Sequence, residues 1–291
     1  MANTCIWCGT IRSTGMGDFF TALLNHSFLQ HALLAGLLVS LSCGIVGTYV
    51  VTRRITYLAG GIAHCVLGGM GISRYLQVVH GWTFFTPMLG AMIAALLAAF
   101  IIGWVNIKAR ERIDTVISAF WGLGMAVGVL FIAKTPGYGE DLMAYLFGNI
   151  LLVTRGDLLA IAGLDIFIAG TALLFHKQFI AVCFDEEFAR LRGVNTQLFY
   201  FLMLALTALT VVLMVSIVGI VMVIVLLTLP AAIAGRFCLR MGSMMALAAG
   251  LCALLTFGGL ALSYGPDFPA GATIILLAGL LYLLSLLYKR S

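Results

Sequence analysis

Apolar residues run along this chain in long blocks separated by short polar breaks. Stretches free of Asp, Glu, Lys and Arg cover residues 19–52, 55–73, 75–107, 115–133, 193–235, 241–266 and 268–288. A helix that crosses the hydrocarbon layer needs about 20 apolar residues. Most blocks therefore hold one span, and 193–235 holds two, divided near Ser216–Gly219. Asp157 to Phe175 adds a further apolar segment, interrupted by Asp165. The pattern predicts an all-α polytopic protein with nine spans, within a range of eight to ten, at about 28–52, 57–79, 84–107, 114–134, 157–176, 196–215, 217–235, 243–263 and 269–288. Pro230 falls near the end of the seventh span and is expected to kink it. Between the fourth and fifth spans, Thr135-Pro136-Gly137-Tyr138-Gly139 signals a turn. Leu142–Leu152 is apolar but too short to span, so it reads as a re-entrant half-helix or a cap on a cavity.

Composition agrees: 63% of residues are hydrophobic and 9% charged, against about 25% charged in soluble domains. Residues 1–27 show no cleavable signal pattern and form an N-terminal segment, with Gly17–His26 along the membrane surface. Residues 28–291 read as one membrane domain. Basic residues follow alternate spans: Arg53 and Arg54; Lys108, Arg110 and Arg112; Lys177, Arg190 and Arg192; Arg236 and Arg240; Lys289 and Arg290. By the positive-inside rule these loops are cytoplasmic, the N-terminus is outside and the C-terminus inside. The net charge of +5 thus reflects topology and requires no nucleic acid. The seven cysteines form no disulfide framework, and Cys5-x-x-Cys8 alone is a weak metal or redox signal.

One polar island stands between apolar blocks: Phe184-Asp185-Glu186-Glu187-Phe188-Ala189-Arg190-Leu191-Arg192-Gly193-Val194. It reads as a short charged helix stopped by Gly193, lying outside the membrane where a soluble partner can grip it. The chain has no Gly-x-x-x-x-Gly-Lys-Ser/Thr motif, so ATP energy would have to come from another chain. No zinc-hydrolase or serine-hydrolase motif occurs either, and the reading is a transporter subunit, not an enzyme. His64 sits in the glycine-rich second span. It is a candidate metal ligand, and equally a histidine bonded to a backbone carbonyl to hold helices together. Asp165, the acid deep in a span, could line a cation path or tie helices together. Glu140 and Asp141 lie at the outer mouth, where they could attract a divalent cation or simply suit a helix N-terminus. His26, His31 and His80 read as interfacial residues.

Several stretches together resemble a known family. They are Arg53-Arg54 with Leu58-Ala59-Gly60-Gly61-Ile62-Ala63-His64-Cys65; Asp114-Thr115 through Gly124–Gly128; Asp141–Leu151; the island; and Leu229-Pro230-Ala231-Ala232-Ile233-Ala234. From about Phe28 onward the chain resembles the permease subunits of ATP-binding-cassette importers for manganese, zinc and iron. The resemblance implies a homo- or heterodimer of permeases in a bacterial cytoplasmic membrane. It also implies a pair of ATPase subunits that bind ATP and magnesium, and an extracytoplasmic metal-binding protein. The island would then be the coupling helix, with Asp185, Glu186, Glu187, Phe188, Arg190 and Gly193 facing the ATPase. His64, Asp165, Glu140 and Asp141 would be candidates for the metal path, with the transported divalent metal as cargo and no cofactor bound by this chain. Many relatives carry Asp and Ser where this chain has Gly60 and Ala63. An iron-chelate or vitamin-like cargo would require a wider, less polar path, and a secondary metal carrier would carry more ionisable groups at mid-membrane.

Overall fold

The computed structural model describes residues 25–108, 113–136, 153–264 and 268–287, together with Leu23 and Gly148. The helices, in order, are α1 (Ser27–Thr52), α2 (Thr56–Val79), α3 (Pro87–Lys108), α4 (Ile113–Lys134), α5 (Arg155–Leu174), α6 (His176–Phe184), α7 (Glu186–Leu191), α8 (Thr196–Val218), α9 (Ile220–Phe237), α10 (Met241–Tyr264) and α11 (Ala270–Leu287). No strand occurs among the described residues. Eight of these helices are long and apolar enough to cross a membrane. The 24-residue α2 is long enough but less hydropathic, because glycines, His64, Ser73 and Arg74 interrupt its apolar residues. It is nonetheless almost wholly buried from Leu58 to Met70, which gives the nine long helices expected from the pattern.

Two helices organise the bundle. α1 packs against α5, α8, α9 and α10, and α2 against α3 and α4. The α2–α4 contact is made by glycines on both sides. A Cβ at Gly68 would lie 3.0 Å from Gly124 O, and one at Gly71 would lie 2.7 Å from Gly128 O. In the other direction, a Cβ at Gly124 would stand 2.8 Å from Cys65 Cα. Helices in lipid gain little from hydrophobic burial against each other, so such close backbone approach is a main source of their adhesion.

The break between the sixth and seventh spans is at Gly219, with φ +80° and ψ 164°, backbone that only glycine adopts readily. Gly148 lies against it: a Cβ there would sit 2.6 Å from Val218 O. The rest of the expected half-helix 142–152 falls outside the described residues, as do Glu140, Asp141, Cys5 and Cys8. The five cysteines within the described part, Cys43, Cys65, Cys183, Cys238 and Cys252, are free thiols.

The fifth span lies within two residues of its expected bounds. α5 ends at Leu174, and α6 follows as a separate nine-residue helix. Phe175 at the junction has φ −105° and ψ 19°, off the helical line, and α6 turns toward the end of α1. The start of α5 is fixed by a reciprocal cap, in which Thr154 Oγ1 accepts from Asp157 N and Asp157 accepts from Thr154 N.

Candidate functional site

Two features meet at the end of the bundle where α1 turns into α2. The turn is tight. Arg53 closes α1, Arg54 takes a left-handed conformation (φ 59°), and Ile55 N donates to Val50 O at 3.0 Å. Above it, α2 carries Gly60 and His64 on one face, one turn apart.

His64 is buried, with 5% of its surface exposed. Its Nδ1 bonds Gly60 O at 2.8 Å, and its ring lies 4.6 Å from that of Trp121 on α4. A carbonyl can only accept, so Nδ1 carries the proton and Nε2 keeps the lone pair that a metal requires. Of the two readings of this residue, the carbonyl bond is the one present in the structure. Beside it a cavity of about 440 Å³ is lined by Val51 of α1, Thr56, Tyr57 and Gly60 of α2, Trp121 of α4, Ile224, Thr228, Leu229 and Ala232 of α9, and Tyr282 of α11. None of these residues is acidic. A Cβ at Gly60 would meet Ile224 Cδ1 at 3.5 Å, an ordinary contact.

Asp165 lies elsewhere. It is 2% exposed on α5 and accepts a hydrogen bond from the Ser42 hydroxyl of α1, whereas His64 packs on α4; neither side chain is among the residues lining that cavity. Its second oxygen has no hydrogen-bond partner among the described residues. The structure therefore separates the two intramembrane candidates, His64 and Asp165. Among the described residues, no group of three or more His, Cys, Asp or Glu side chains stands where it could hold a metal ion.

The polar island is α7 and its flanks. Asp185 caps the helix by accepting from Phe188 N at 2.9 Å, and Gly193, at φ +78°, ends it. Phe188 is 49% exposed and Leu191 88% exposed, with the Arg192 guanidinium 4.9 Å above the Phe188 ring. Glu187 is exposed, whereas Glu186 is turned inward. Its Oε2 pairs with Arg53 at 2.5 Å and its Oε1 with Arg190 at 2.9 Å. Hydrogen bonding from Arg53 holds the Glu186 carboxyl below the ordinary glutamate range, partial burial opposes this, and Arg190 adds to it. Arg53 also donates to Val182 O of α6 at 2.8 Å. Tyr49 on α1 bonds His176 Nδ1 on α6 at 3.1 Å. A polar crevice of about 500 Å³ adjoins this cluster, lined by Arg53, Asn106, Ile107, Glu186, Arg190, Thr196, Gln197 and Tyr200.

Sequence reasoning finds the island and His64 but not their neighbours. The Arg53–Glu186 pair joins residues 133 apart, and nothing local marks it. Trp121 looks like any lipid-facing aromatic until α4 is packed on α2.

Comparison with known proteins places this architecture. At 40% identity over 274 residues, the chain is similar to a probable metal transport system membrane protein of Chlamydia pneumoniae, covering 93% of each chain. It is 33% identical to the manganese transport system membrane protein MntC of Halalkalibacterium halodurans, over 93% of this chain and 90% of that one. It is 30% identical to the high-affinity zinc uptake system membrane protein ZnuB of Haemophilus influenzae, over 89% and 96% respectively. Among solved structures, PsaBC from Streptococcus pneumoniae in complex with Fab superposes with a TM-score of 0.83 at 29% identity, covering 93% of this chain and 95% of the other. Residues 25–289 match the ABC 3 transport family, and the chain belongs to that family.

Proposed function

We propose that this multi-pass membrane protein is the permease subunit of an ATP-binding-cassette importer that moves a divalent transition metal into the cytoplasm. Its relatives are named for manganese and zinc transport, and the similarity to them covers 93% and 89% of this chain. The observation that carries the reading is α7: a short helix outside the spans, with Phe188 and Leu191 exposed and acids and arginines around them. An apolar knob with a charged rim is what a soluble partner's groove would bind. In this reading the partner is an ATPase dimer, α7 is the coupling helix, and ATP and magnesium bind only in the partner. The α1–α2 turn faces the cytoplasm, with residue 1 outside and residue 291 inside, in a bacterial cytoplasmic membrane.

The path runs by His64 and the adjoining cavity. A second permease chain, identical or related, would close the open side of that cavity, and an extracytoplasmic metal-binding protein would deliver the cargo. Glu140 and Asp141 would stand at the outer mouth. With Gly60 and Ala63 beside it, His64 offers one nitrogen per chain and no carboxylate, which suits a conduit that must release its cargo. Asp165, bonded to Ser42, serves as a tie between α1 and α5.

A second cargo class has one observation in its favour. The cavity is lined mainly by apolar and aromatic groups, as an iron chelate would require. Uptake of radiolabelled zinc, manganese and iron, and of iron as a chelate, into cells expressing the chain with its ATPase and binding protein separates the two. Uptake of one free metal, abolished by Glu187→Lys, supports the first reading. Uptake of a chelate alone supports the second, and uptake that persists without the ATPase refutes both.

A further inference from the structure

The acids of the island divide by role. Asp185 caps its own helix and Glu187 faces outward. Glu186 spends both carboxylate oxygens on arginines, one of them at the end of α1. We propose that Glu186 is a positioning residue that couples α7 to the α1–α2 turn through Arg53, so that motion imposed on α7 is delivered to the helix bearing Gly60 and His64. The inference rests on the reading of α7 as the ATPase-facing element.

Four observations lead to it. First, the Arg53 guanidinium joins several elements at once. It bonds Glu186 of α7 and Val182 O of α6, and lies 5.9 Å from the centroid of the Tyr200 ring on α8. Tyr200 in turn accepts from Asn106 Nδ2 on α3 at 2.6 Å. Second, the pair is partly withdrawn from water, with side-chain exposures of 23% for Arg53 and 35% for Glu186. Fully exposed pairs are weak and screened, whereas a half-buried guanidinium with two acceptors holds a defined geometry. Third, the turn after Arg53 has little slack. Arg54 is left-handed, Ile55 N bonds back to Val50 O, and α2 starts at Thr56. A shift of Arg53 therefore reaches the start of α2 without being absorbed by a loop. Fourth, Thr56, Tyr57 and Gly60 at that start line the cavity beside His64. Ion pair, turn, α2 and cavity wall form one continuous mechanical path.

The test is metal moved per ATP hydrolysed, measured with the permease–ATPase complex in proteoliposomes, using manganese and zinc as probes. A substitution that merely destabilises the protein lowers transport and ATPase activity together and leaves the ratio unchanged. Thr154→Val, which breaks the cap of α5 at the opposite end of the bundle, serves as that control. The ratio is expected to fall about tenfold in Glu186→Gln and in Arg53→Met. The double variant is expected to be no worse than the poorer single variant, because the two act through each other. A wild-type ratio in Glu186→Gln, or losses that multiply in the double variant, overturns the proposal. If a single variant fails to assemble, the double variant, which removes both charges of the Arg53–Glu186 pair and leaves Arg190 its bond to Thr196, decides: a low ratio supports the link and a wild-type ratio refutes it. Retention of the ATPase by a Phe188→Asp complex overturns the docking reading and the link with it. An unchanged ratio with normal docking overturns the link alone.

Discussion

Gly124→Ala tests whether α2 is held in place by backbone contact with α4. The added Cβ would lie 2.8 Å from Cys65 Cα, Cys65 N and His64 O. Ordinary contact begins near 3.4 Å, so the site is short by about 0.6 Å. All three neighbours are backbone atoms and cannot rotate away, so the helices must separate at the level of His64. Overpacking of this kind costs about 1–3 kcal/mol. Gly122, one half-turn earlier on the same helix, has nothing within 4 Å of a Cβ. Gly122→Ala therefore gains only helix propensity, up to about 1 kcal/mol, and the two variants should differ by about 2 kcal/mol in stability. At about 2–4 °C per kcal/mol for a chain of this size class, Gly124→Ala should melt several degrees below Gly122→Ala. Thermal unfolding of the detergent-solubilised protein, followed by loss of the monodisperse peak, reads this difference. Metal uptake per assembled complex should also fall in Gly124→Ala, since α2 moves at residue 64. Equal melting temperatures, or a more stable Gly124→Ala, would refute the close-packed α2–α4 seam.

Further outcomes follow from the same geometry. Gly60→Asp adds a Cβ at ordinary contact distance from Ile224 on the cavity wall and should place a carboxylate one turn from His64. Manganese or zinc should then bind at least about tenfold more tightly and leave more slowly, as equilibrium binding and efflux measurements would reveal; unchanged binding would show that the cargo does not pass His64. Asp165→Asn keeps an acceptor for Ser42 and should leave uptake within about twofold, whereas Asp165→Leu strands the Ser42 hydroxyl and should cost about 1–3 kcal/mol; loss of uptake in the Asn variant would restore Asp165 to the cation path. The pH dependence follows from Glu186, whose carboxyl is held below its ordinary value of about 4.3. A depressed carboxyl contributes stability above its unfolded pKa and loses it as pH falls through the folded value. The α7 attachment should therefore be indifferent to pH near neutrality and loosen only below about pH 4; hydrogen exchange of α7 amides that rises between pH 7 and 5 would contradict this.

Much of the fold was legible in the chain because lipid leaves few choices. Backbone groups in hydrocarbon must be satisfied within a helix, so apolar run length and the spacing of charged residues place the spans within a few residues. The Ser216–Gly219 break is visible for the same reason: a glycine with positive φ is needed where one helix stops and the next starts at once. What was not legible depends on packing between distant segments. The fifth span lies within two residues of its expected bounds, but the separate helix α6 that follows it, and its contacts with Tyr49 and Arg53, far away in sequence, were not foreseen. His64 could be singled out by type, but its carbonyl bond, its Trp121 neighbour and its separation from Asp165 required the helices to be assembled. The charged island was legible as an exposed helix, but the division of its acids into cap, tie and outward-facing group was not.

The most direct test of the central claim is metal uptake into proteoliposomes holding this chain with its ATPase, with ATP supplied on the ATPase side and manganese and zinc offered separately on the other. Uptake of one of these ions that requires ATP, fails without the ATPase and fails with Phe188→Asp is the predicted result. Ion movement that proceeds without the ATPase, or ATP hydrolysis that moves neither ion in the assembled complex, would contradict the account.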